Sequence, residues 1–148
     1  MRKRRSLISI SLVLVQFACL IFIALTGPLL ASSLPLLGVE LLGLGLGIWA
    51  ILSMRIGNFN ITPDPLEWSR LVQSGPYRLI RHPMYLSLLL ATLPLVIAHF
   101  TPLRLVVWLV LLADLLVKLN YEERLLVVEL PGYDRYVSQS YRLIPLLY

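Results

Sequence analysis

Four runs of apolar residues, separated by polar stretches, dominate the chain. The first run covers residues 7–25 and contains no charged residue and one amide, Gln16. A helix rises about 1.5 Å per residue, so a run of this length extends roughly 28 Å, which matches the hydrocarbon core of a bilayer. The pattern therefore predicts a first transmembrane helix over residues 7–25.

Three further apolar runs predict three more transmembrane helices. They cover residues 36–54, 84–100 and 103–119. Only a brief turn separates the last two runs, so we expect these two helices to form a hairpin. Within the second run, Gly43 and Gly47 have a spacing that lets another helix approach closely.

Two longer polar stretches lie between and after these runs. Residues 55–83 combine charged residues with asparagine, proline and glycine, and such a segment cannot cross lipid, so we expect a loop at one membrane face. Residues 120–148 mix charged residues with leucines and tyrosines, which predicts an amphipathic helical cap at the interface. The chain is thus predicted to be one all-α membrane domain, residues 1–148, with four transmembrane helices and a C-terminal cap.

Composition agrees with a membrane protein and argues against a water-soluble globule. Of the 148 residues, 58% are hydrophobic and only 14% are charged, and the mean hydropathy is +0.82. The single cysteine, Cys19, excludes an intrachain disulfide, and we expect no metal site.

The positive charge of the chain indicates its orientation. The formal net charge is +5, but residues 2–5 are all basic and directly precede the first apolar run, so they are a topology signal and not a nucleic-acid site. A signal peptide starts in the same way, but this run is longer than usual and more membrane segments follow. The N-terminus, the loop and the tail carry all the basic residues except Arg104 and Lys118. The positive-inside rule therefore predicts an integral protein of the plasma or inner membrane with both termini cytoplasmic.

Ionisable residues within the apolar runs are candidates for chemistry. Asp114, Lys118 and Glu122 recur every four residues, so they line one face of the fourth helix over about 12 Å. A buried carboxylate needs a partner, and Lys118 is the nearest candidate for Asp114. The alternative is a snorkelling lysine and two surface acids. Glu40 lies about one turn inside the outer edge of the second helix, and we expect its carboxylate to reach the surface.

The start of the third helix is a second candidate site. Residues 81–85 read Arg-His-Pro-Met-Tyr, and proline suits the first helical position because its missing N–H would be unpaired there anyway. The free N–H groups of the first turn favour a carboxylate or a phosphate, and Arg78 and Arg81 add positive charge. In the alternative interpretation, arginines and tyrosines anchor the interface and His82 only caps the helix.

Several separated segments together resemble the isoprenylcysteine carboxyl methyltransferase family, which is related to the phospholipid methyltransferases. The segments are residues 71–85 (LVQSGPYRLIRHPMY), the Glu122-Glu123 pair after a hydrophobic hairpin, residues 131–136 (PGYDRY) and residues 142–145 (RLIP). They follow the family's order and extend over about half of the chain. The first two predicted helices resemble the family only as membrane helices.

This resemblance implies an integral membrane methyltransferase that holds S-adenosylmethionine on the cytoplasmic side. The positions that contact the cofactor in the family's pattern are here Leu71, Val72, Tyr77, His82, Pro83, Met84, Tyr85 and Glu122. The resemblance gives catalytic roles to Glu122 and to Lys118, which stands where the family has a substrate-binding residue, usually arginine. Lysine keeps the charge but not the two-pronged grip on a carboxylate. Ser87 stands where the family commonly has glycine.

The chemistry implied by the resemblance leaves the acceptor open. Methyl transfer from a sulfonium is an in-line displacement that needs alignment and exclusion of water, and no metal. A carboxylate acceptor needs no base and would be positioned by Lys118, whereas an amine would need Glu122 or Asp114 to take its proton. We expect a lipophilic acceptor that enters from the bilayer, with an isoprenylcysteine-type carboxylate first, a phospholipid amine as the alternative, and lipophilic thiols still open.

Two other function classes compete with a methyltransferase. Membrane sterol reductases share features of this architecture and bind a nicotinamide cofactor, but they are much longer than this chain. A small helical membrane protein that binds lipid or packs against a larger complex would have no cofactor affinity, and it would tolerate replacement of His82 and Glu122.

Overall fold

The structure is a computed structural model that describes residues 7–54 and 71–145. Five α-helices form in these two segments: α1 (Leu7–Leu25), α2 (Leu34–Met54), α3 (Pro83–Ala98), α4 (Pro102–Glu129) and α5 (Tyr133–Gln139). A short 3₁₀ helix, Gly75–Arg78, precedes α3. The only β pairing in the described segments is an isolated bridge, so the all-α prediction is confirmed there. The basic residues 2–5 and most of the predicted loop lie outside the described residues.

Two of the predicted spans satisfy the length and composition of a membrane helix. These are α1 and α2, which contain 19 and 21 residues. Helix α3 is apolar but has only 16 residues, whereas α4 has 28 residues and includes Arg104, Asp114 and Lys118. Length and composition therefore identify two candidate spans and do not by themselves establish four.

Helix α4 continues through Glu129, about three turns beyond residue 119, the expected limit of the fourth membrane span. Residues 120–129 contain no glycine or proline, so nothing in the backbone stops the helix before Pro131 and Gly132. Within the predicted cap, residues 120–148, the described residues therefore contain the end of α4 and the helix α5.

The helices pack as two pairs that meet along α3 and α4. Helix α2 lies along α3, and α1 lies along α4, while α3 and α4 make a smaller contact with each other. Helices α1 and α2 are not among the pairs that pack closely. The side of the bundle between α1 and α2 is thus the least closed.

Glycines set the close approach of α2 to α3, as the Gly43 and Gly47 spacing predicts. A Cβ atom on Gly43 would lie 2.6 Å from the backbone nitrogen of Ala91, and one on Gly47 would lie 3.0 Å from Ser87 Oγ. Ser87 fits at the family's glycine position because the small residue is supplied by the facing helix instead.

Glu40 does not reach the surface, contrary to the expectation of snorkelling. Its residue is only 3% exposed, and its Oε2 accepts a hydrogen bond of 2.9 Å from the backbone N–H of Ala31. The connection between α1 and α2 folds over the carboxylate and supplies an N–H close by, so the side chain turns inward.

Candidate functional site

A cavity of about 410 Å³ lies between the two helix pairs. Its walls are mostly apolar, with a few polar groups concentrated on α3, α4 and the segment before α3. The apolar walls come from α1 and α2 and include Phe17, Leu20, Leu44, Ile48 and Ile51. A mostly apolar cavity of this size with a few convergent polar groups is typical of a small-molecule site.

Most of the predicted site residues line this one cavity. They are Tyr77, His82, Pro83, Met84, Tyr85, Lys118 and Glu122. Leu71 and Val72 are half-buried and are not among the cavity residues. The structure thus brings seven of the nine predicted positions together.

Helix α3 begins as predicted and presents an aromatic pair to Glu122. Pro83 is the first helical residue, and His82 is the capping residue just before it. Tyr85, one turn on, stacks on the His82 ring with centroids 5.3 Å apart. The Tyr85 hydroxyl donates a 2.6 Å hydrogen bond to Glu122 Oε2, and His82 Nδ1 is 3.8 Å from the same oxygen. The Glu122 side chain remains 24% exposed, so it can still receive a ligand.

Lys118 is the buried cation of the cavity. Its residue is 2% exposed, and its Nζ donates a 2.7 Å hydrogen bond to Oε1 of Gln16. The same Nζ lies 5.4 Å from the centroid of the Tyr85 ring. Within the described segments no carboxylate lies within 4 Å of this ammonium.

Asp114 and Lys118 interact electrostatically, as predicted, but they form no direct ion pair in the described residues. Asp114 is buried on α4, and its Oδ2 has no hydrogen-bond partner in the described part of the chain. The Lys118 side chain turns instead toward α1, where the Gln16 carbonyl oxygen is available at hydrogen-bond distance. Asp114 and Lys118 are therefore both buried. The alternative interpretation, a surface carboxylate with a snorkelling lysine, is wrong for these two residues.

Glu123, whose role the sequence did not reveal, holds together the end of the bundle where α3 begins. Arg81 Nε is 2.6 Å from its Oε1, Arg142 Nη2 is 2.8 Å from its Oε2, and His82 Nε2 is 3.4 Å from Oε1. Burial raises the pKa of the Glu123 carboxyl, but the contacts with His82 and Arg81 outweigh burial and lower its pKa to about 2. Consecutive helical residues point about 100° apart, so Glu122 and Glu123 face different partners.

The C-terminal segment is fastened to the start of α3. Arg81 also donates through Nη1 to the carbonyl oxygens of Val137 and Ser140, and its backbone N–H donates to Tyr141 O at 2.8 Å. Tyr136 donates its hydroxyl to the Tyr77 carbonyl oxygen. These bonds fix the backbone that carries the cavity residues.

The Tyr77 hydroxyl is a polar group to which the described residues offer no hydrogen bond. It is buried, lines the cavity and has no hydrogen-bond partner in the described segments. Burial, followed by the nearby Glu122 carboxylate and Tyr136, raises the pKa of Tyr77, so the hydroxyl stays protonated at neutral pH. A buried hydroxyl without a partner is rare in proteins and marks a place for a polar ligand.

A family profile for phospholipid methyltransferases matches residues 34–130, about two thirds of the chain. The chain belongs to the phospholipid methyltransferase family. The motifs around residues 71–85 and Glu122 predicted a membrane methyltransferase related to this family, and the family match confirms that prediction. Membership indicates that the protein is a membrane-associated methyltransferase. Members of the family typically use S-adenosylmethionine. No curated protein matches the chain.

The match places α2, α3 and α4 within the family and leaves α1 outside it. Gln16 and Glu123 were not predicted as site residues, and Arg81 was predicted only to add positive charge beside the start of α3. The available signals were an amide in an otherwise apolar span, a basic residue next to the histidine, and a doubled glutamate.

Proposed function

We propose that this protein is an S-adenosylmethionine-dependent methyltransferase that methylates the carboxylate of a lipophilic acceptor, of the isoprenylcysteine type, at the cytoplasmic face of the membrane. The proposal depends chiefly on one observation: a buried ammonium and a partly exposed carboxylate, Lys118 and Glu122, line the same cavity one helical turn apart. Opposite charges at neighbouring positions suit two ligands with opposite charges.

The cytoplasmic end of the cavity fits the cofactor. The unpartnered Tyr77 hydroxyl offers a hydrogen bond, and the Glu122 carboxylate offers a negative charge to a cationic ligand. The cavity residues that would hold the cofactor are Tyr77, His82, Pro83, Met84, Tyr85 and Glu122. Leu71 and Val72, outside the cavity lining, stay predicted contacts that the resemblance alone supports. When bound, S-adenosylmethionine supplies a methyl group on a positively charged sulfur.

The deeper part of the cavity fits the acceptor. An ammonium that is 2% exposed is costly to keep charged in apolar surroundings unless an anion joins it, and a carboxylate would satisfy Lys118. The apolar walls of α1 and α2 suit an alkyl or isoprenoid chain. The less closed side between α1 and α2 gives that chain a route from lipid.

The side chains of this site would align the acceptor with the cofactor and exclude water, and none of them would have to transfer a proton. Lys118 would hold the acceptor carboxylate beside the Tyr85 ring, close to the end of the cavity where Glu122 lies. A carboxylate is already a nucleophile, so no general base is required. Apolar walls exclude the water that would screen these charges and compete for the methyl group.

We further propose that the chain is one domain with four transmembrane helices and both termini on the cytoplasmic side of the plasma or inner membrane. The distribution of basic residues supports this orientation. Helix α4 would cross with its charged residues turned toward the bundle, and α3 would cross as a short helix.

N-methylation of a phospholipid amine is the second candidate, and the family's own description favours it. Glu122 or Asp114 would then accept the proton that the amine loses. A cationic headgroup would, however, face the Lys118 ammonium, and like charges in a buried site repel.

The first prediction concerns cofactor and product together. We expect purified full-length protein to bind S-adenosylmethionine in a calorimetric titration. Glu122→Ala and His82→Ala should weaken binding by about a hundredfold because a charged hydrogen-bonding partner or its support is lost. Lys118→Ala should keep cofactor binding but lose turnover. Arg124→Ala, which changes an exposed residue on the same helix, is the matched control.

The product identifies the acceptor class. Labelled methyl groups transferred to a carboxylate are released as methanol by mild base, whereas N-methyl groups are stable. Base-stable label in membrane extracts would contradict a carboxylate acceptor and leave the phospholipid amine or a thiol, which the labelled product itself distinguishes. Folded protein that binds no S-adenosylmethionine would contradict both candidates and favour a lipid-binding or scaffold role.

A further inference from the structure

We infer that Gln16 of α1 is a substrate-positioning residue. Its side-chain amide and the Lys118 ammonium together form a two-donor grip on the acceptor carboxylate. The inference rests on the proposed function and adds to it a contact from a helix that lies outside the family match.

Gln16 is a buried polar residue within an apolar helix. It is the only amide in α1, it lies on the helix's buried face, and it lines the cavity. A carboxamide in an apolar span is unfavourable unless its donors and its acceptor are both used. The acceptor is used, because Oε1 receives the 2.7 Å hydrogen bond from Lys118 Nζ.

The direction of this bond leaves the amide donors available. A lysine ammonium can only donate, so the amide must turn its oxygen toward Lys118 and its NH₂ group away. In the described part of the chain, no acceptor is bonded to Gln16 Nε2. This atom is also not one of the fully buried polar atoms that lack a hydrogen-bond partner there. Because Nε2 belongs to the same planar group as Oε1, its N–H donors lie close to the ammonium.

The Lys118 ammonium and the Gln16 amide together provide the two hydrogen-bond donors that a lysine alone cannot place in parallel. Arginine holds a carboxylate through two parallel N–H groups, whereas a lysine acts as a single point of charge. With Gln16 beside it, Lys118 can donate to one carboxylate oxygen while the amide donates to the other. Gln16 and Lys118 would then do jointly what a guanidinium does alone.

Tyr85 restricts where the gripped carboxylate can lie. Its ring covers one side of the Lys118 ammonium at 5.4 Å, and its hydroxyl is occupied by Glu122. The remaining N–H groups of Lys118 are thus left for the cavity side that Gln16 shares. A carboxylate bound there would be held in one orientation rather than only attracted.

The test measures binding of two matched lipids to full-length protein in nanodiscs. The probes are N-acetyl-S-farnesylcysteine, which has one carboxylate, and the same molecule with that carboxylate converted to a carboxamide. We expect the wild type to prefer the acid. Gln16→Met, which is similar in size and has no hydrogen-bonding group, should weaken the acid about tenfold and change the carboxamide less than about threefold.

A second substitution separates a grip from simple helix contact. Lys118→Arg restores two donors, so combining it with Gln16→Met should return acid affinity to within about threefold of the wild type. Gln16→Glu keeps the size of the side chain but pairs with Lys118 and repels the acid, so it should weaken the acid more than Gln16→Met does. Ser11→Ala, at an exposed position of α1, is the control.

S-adenosylmethionine affinity is measured on every variant and should stay within about twofold of the wild type. Equal loss of acid and carboxamide, unchanged acid affinity in both Gln16 variants, or no rescue by Lys118→Arg would overturn the inference. A wild type that binds S-adenosylmethionine but does not prefer the acid would also overturn it. A wild type that binds no S-adenosylmethionine would instead contradict the proposed function.

Discussion

Glu122 and Glu123 are neighbours in the chain with different partners. Glu122 is partly exposed and faces the cavity, where Tyr85 donates to it. Glu123 is almost fully buried and forms ion pairs with Arg81 and Arg142. The first carboxylate is free to meet a ligand, whereas the second is committed to holding α4, α3 and the C-terminal segment together.

Glu123 therefore makes stability depend on pH in the acid range. Its pKa falls from an ordinary value of 4.5 to about 2 on folding, so its ionisation stabilises the fold fully above pH 4.5 and progressively less as the pH falls toward 2. Glu123→Gln should lower the free energy of unfolding at neutral pH by about 3 kcal/mol, because two arginines lose their buried partner.

Thermal unfolding in detergent between pH 3 and pH 7 checks this prediction. The wild type should lose more stability across that range than Glu123→Gln does. Equal acid sensitivity in the two proteins would show that other carboxylates control the effect.

Helix α2 illustrates how one element serves both packing and the site. One face approaches α3 through Gly43 and Gly47, while Leu44, Ile48 and Ile51 line the cavity. The close approach positions α3, whose first turn carries His82 and Tyr85. Small residues in α2 thus set the geometry of groups that lie on another helix.

Gly43→Ala should test this packing. The added methyl group would lie 2.6 Å from the backbone nitrogen of Ala91, which cannot move without shifting α3. We expect a loss of about 2 kcal/mol in the free energy of unfolding. Gly45→Ala is the matched control on the same helix, because nothing lies within 4 Å of its added methyl group.

Denaturation in detergent should show Gly43→Ala destabilised and Gly45→Ala unchanged or slightly stabilised, since alanine is the better helix former. Equal stability of the two variants would mean that α2 and α3 can separate at little cost.

At the scale of the whole molecule, the sequence predicts the apolar helices well and their partners poorly. Apolar run length identified α1 and α2, and proline identified the start of α3, because these depend on local composition. The pairing of α1 with α4 is set by contacts between residues distant in sequence, such as Gln16 and Lys118. The same reason explains why Asp114 and Lys118 form no direct ion pair. They lie one turn apart on α4, but the hydrogen-bond partner of Lys118 is Gln16 on another helix.

The molecule is fastened at both ends by a buried arginine. At the end where α3 begins, Arg81 binds Glu123 and the C-terminal segment. At the other end Arg104 is 1% exposed and donates to the carbonyl oxygens of Ile23 and Leu95 and to Thr26 Oγ1. Those carbonyls lie in the last turns of α1 and α3, where the final carbonyl oxygens of a helix lack a full set of intrahelical partners. Arg104 therefore joins three helices without touching the cavity.

Arg104→Met should consequently separate stability from binding. Three buried hydrogen bonds are lost, and the Leu95 carbonyl oxygen keeps only its bond from the His99 N–H, so we expect a loss of about 3 kcal/mol in the free energy of unfolding. The cavity residues lie toward the other end and keep their own contacts, so S-adenosylmethionine affinity measured well below the melting temperature should change less than about twofold. Arg124→Met, at an exposed position of α4, should leave both quantities unchanged. A large loss of cofactor affinity in Arg104→Met, with the protein still folded, would show that the two ends of the bundle are coupled and that the helix pairs move as one body.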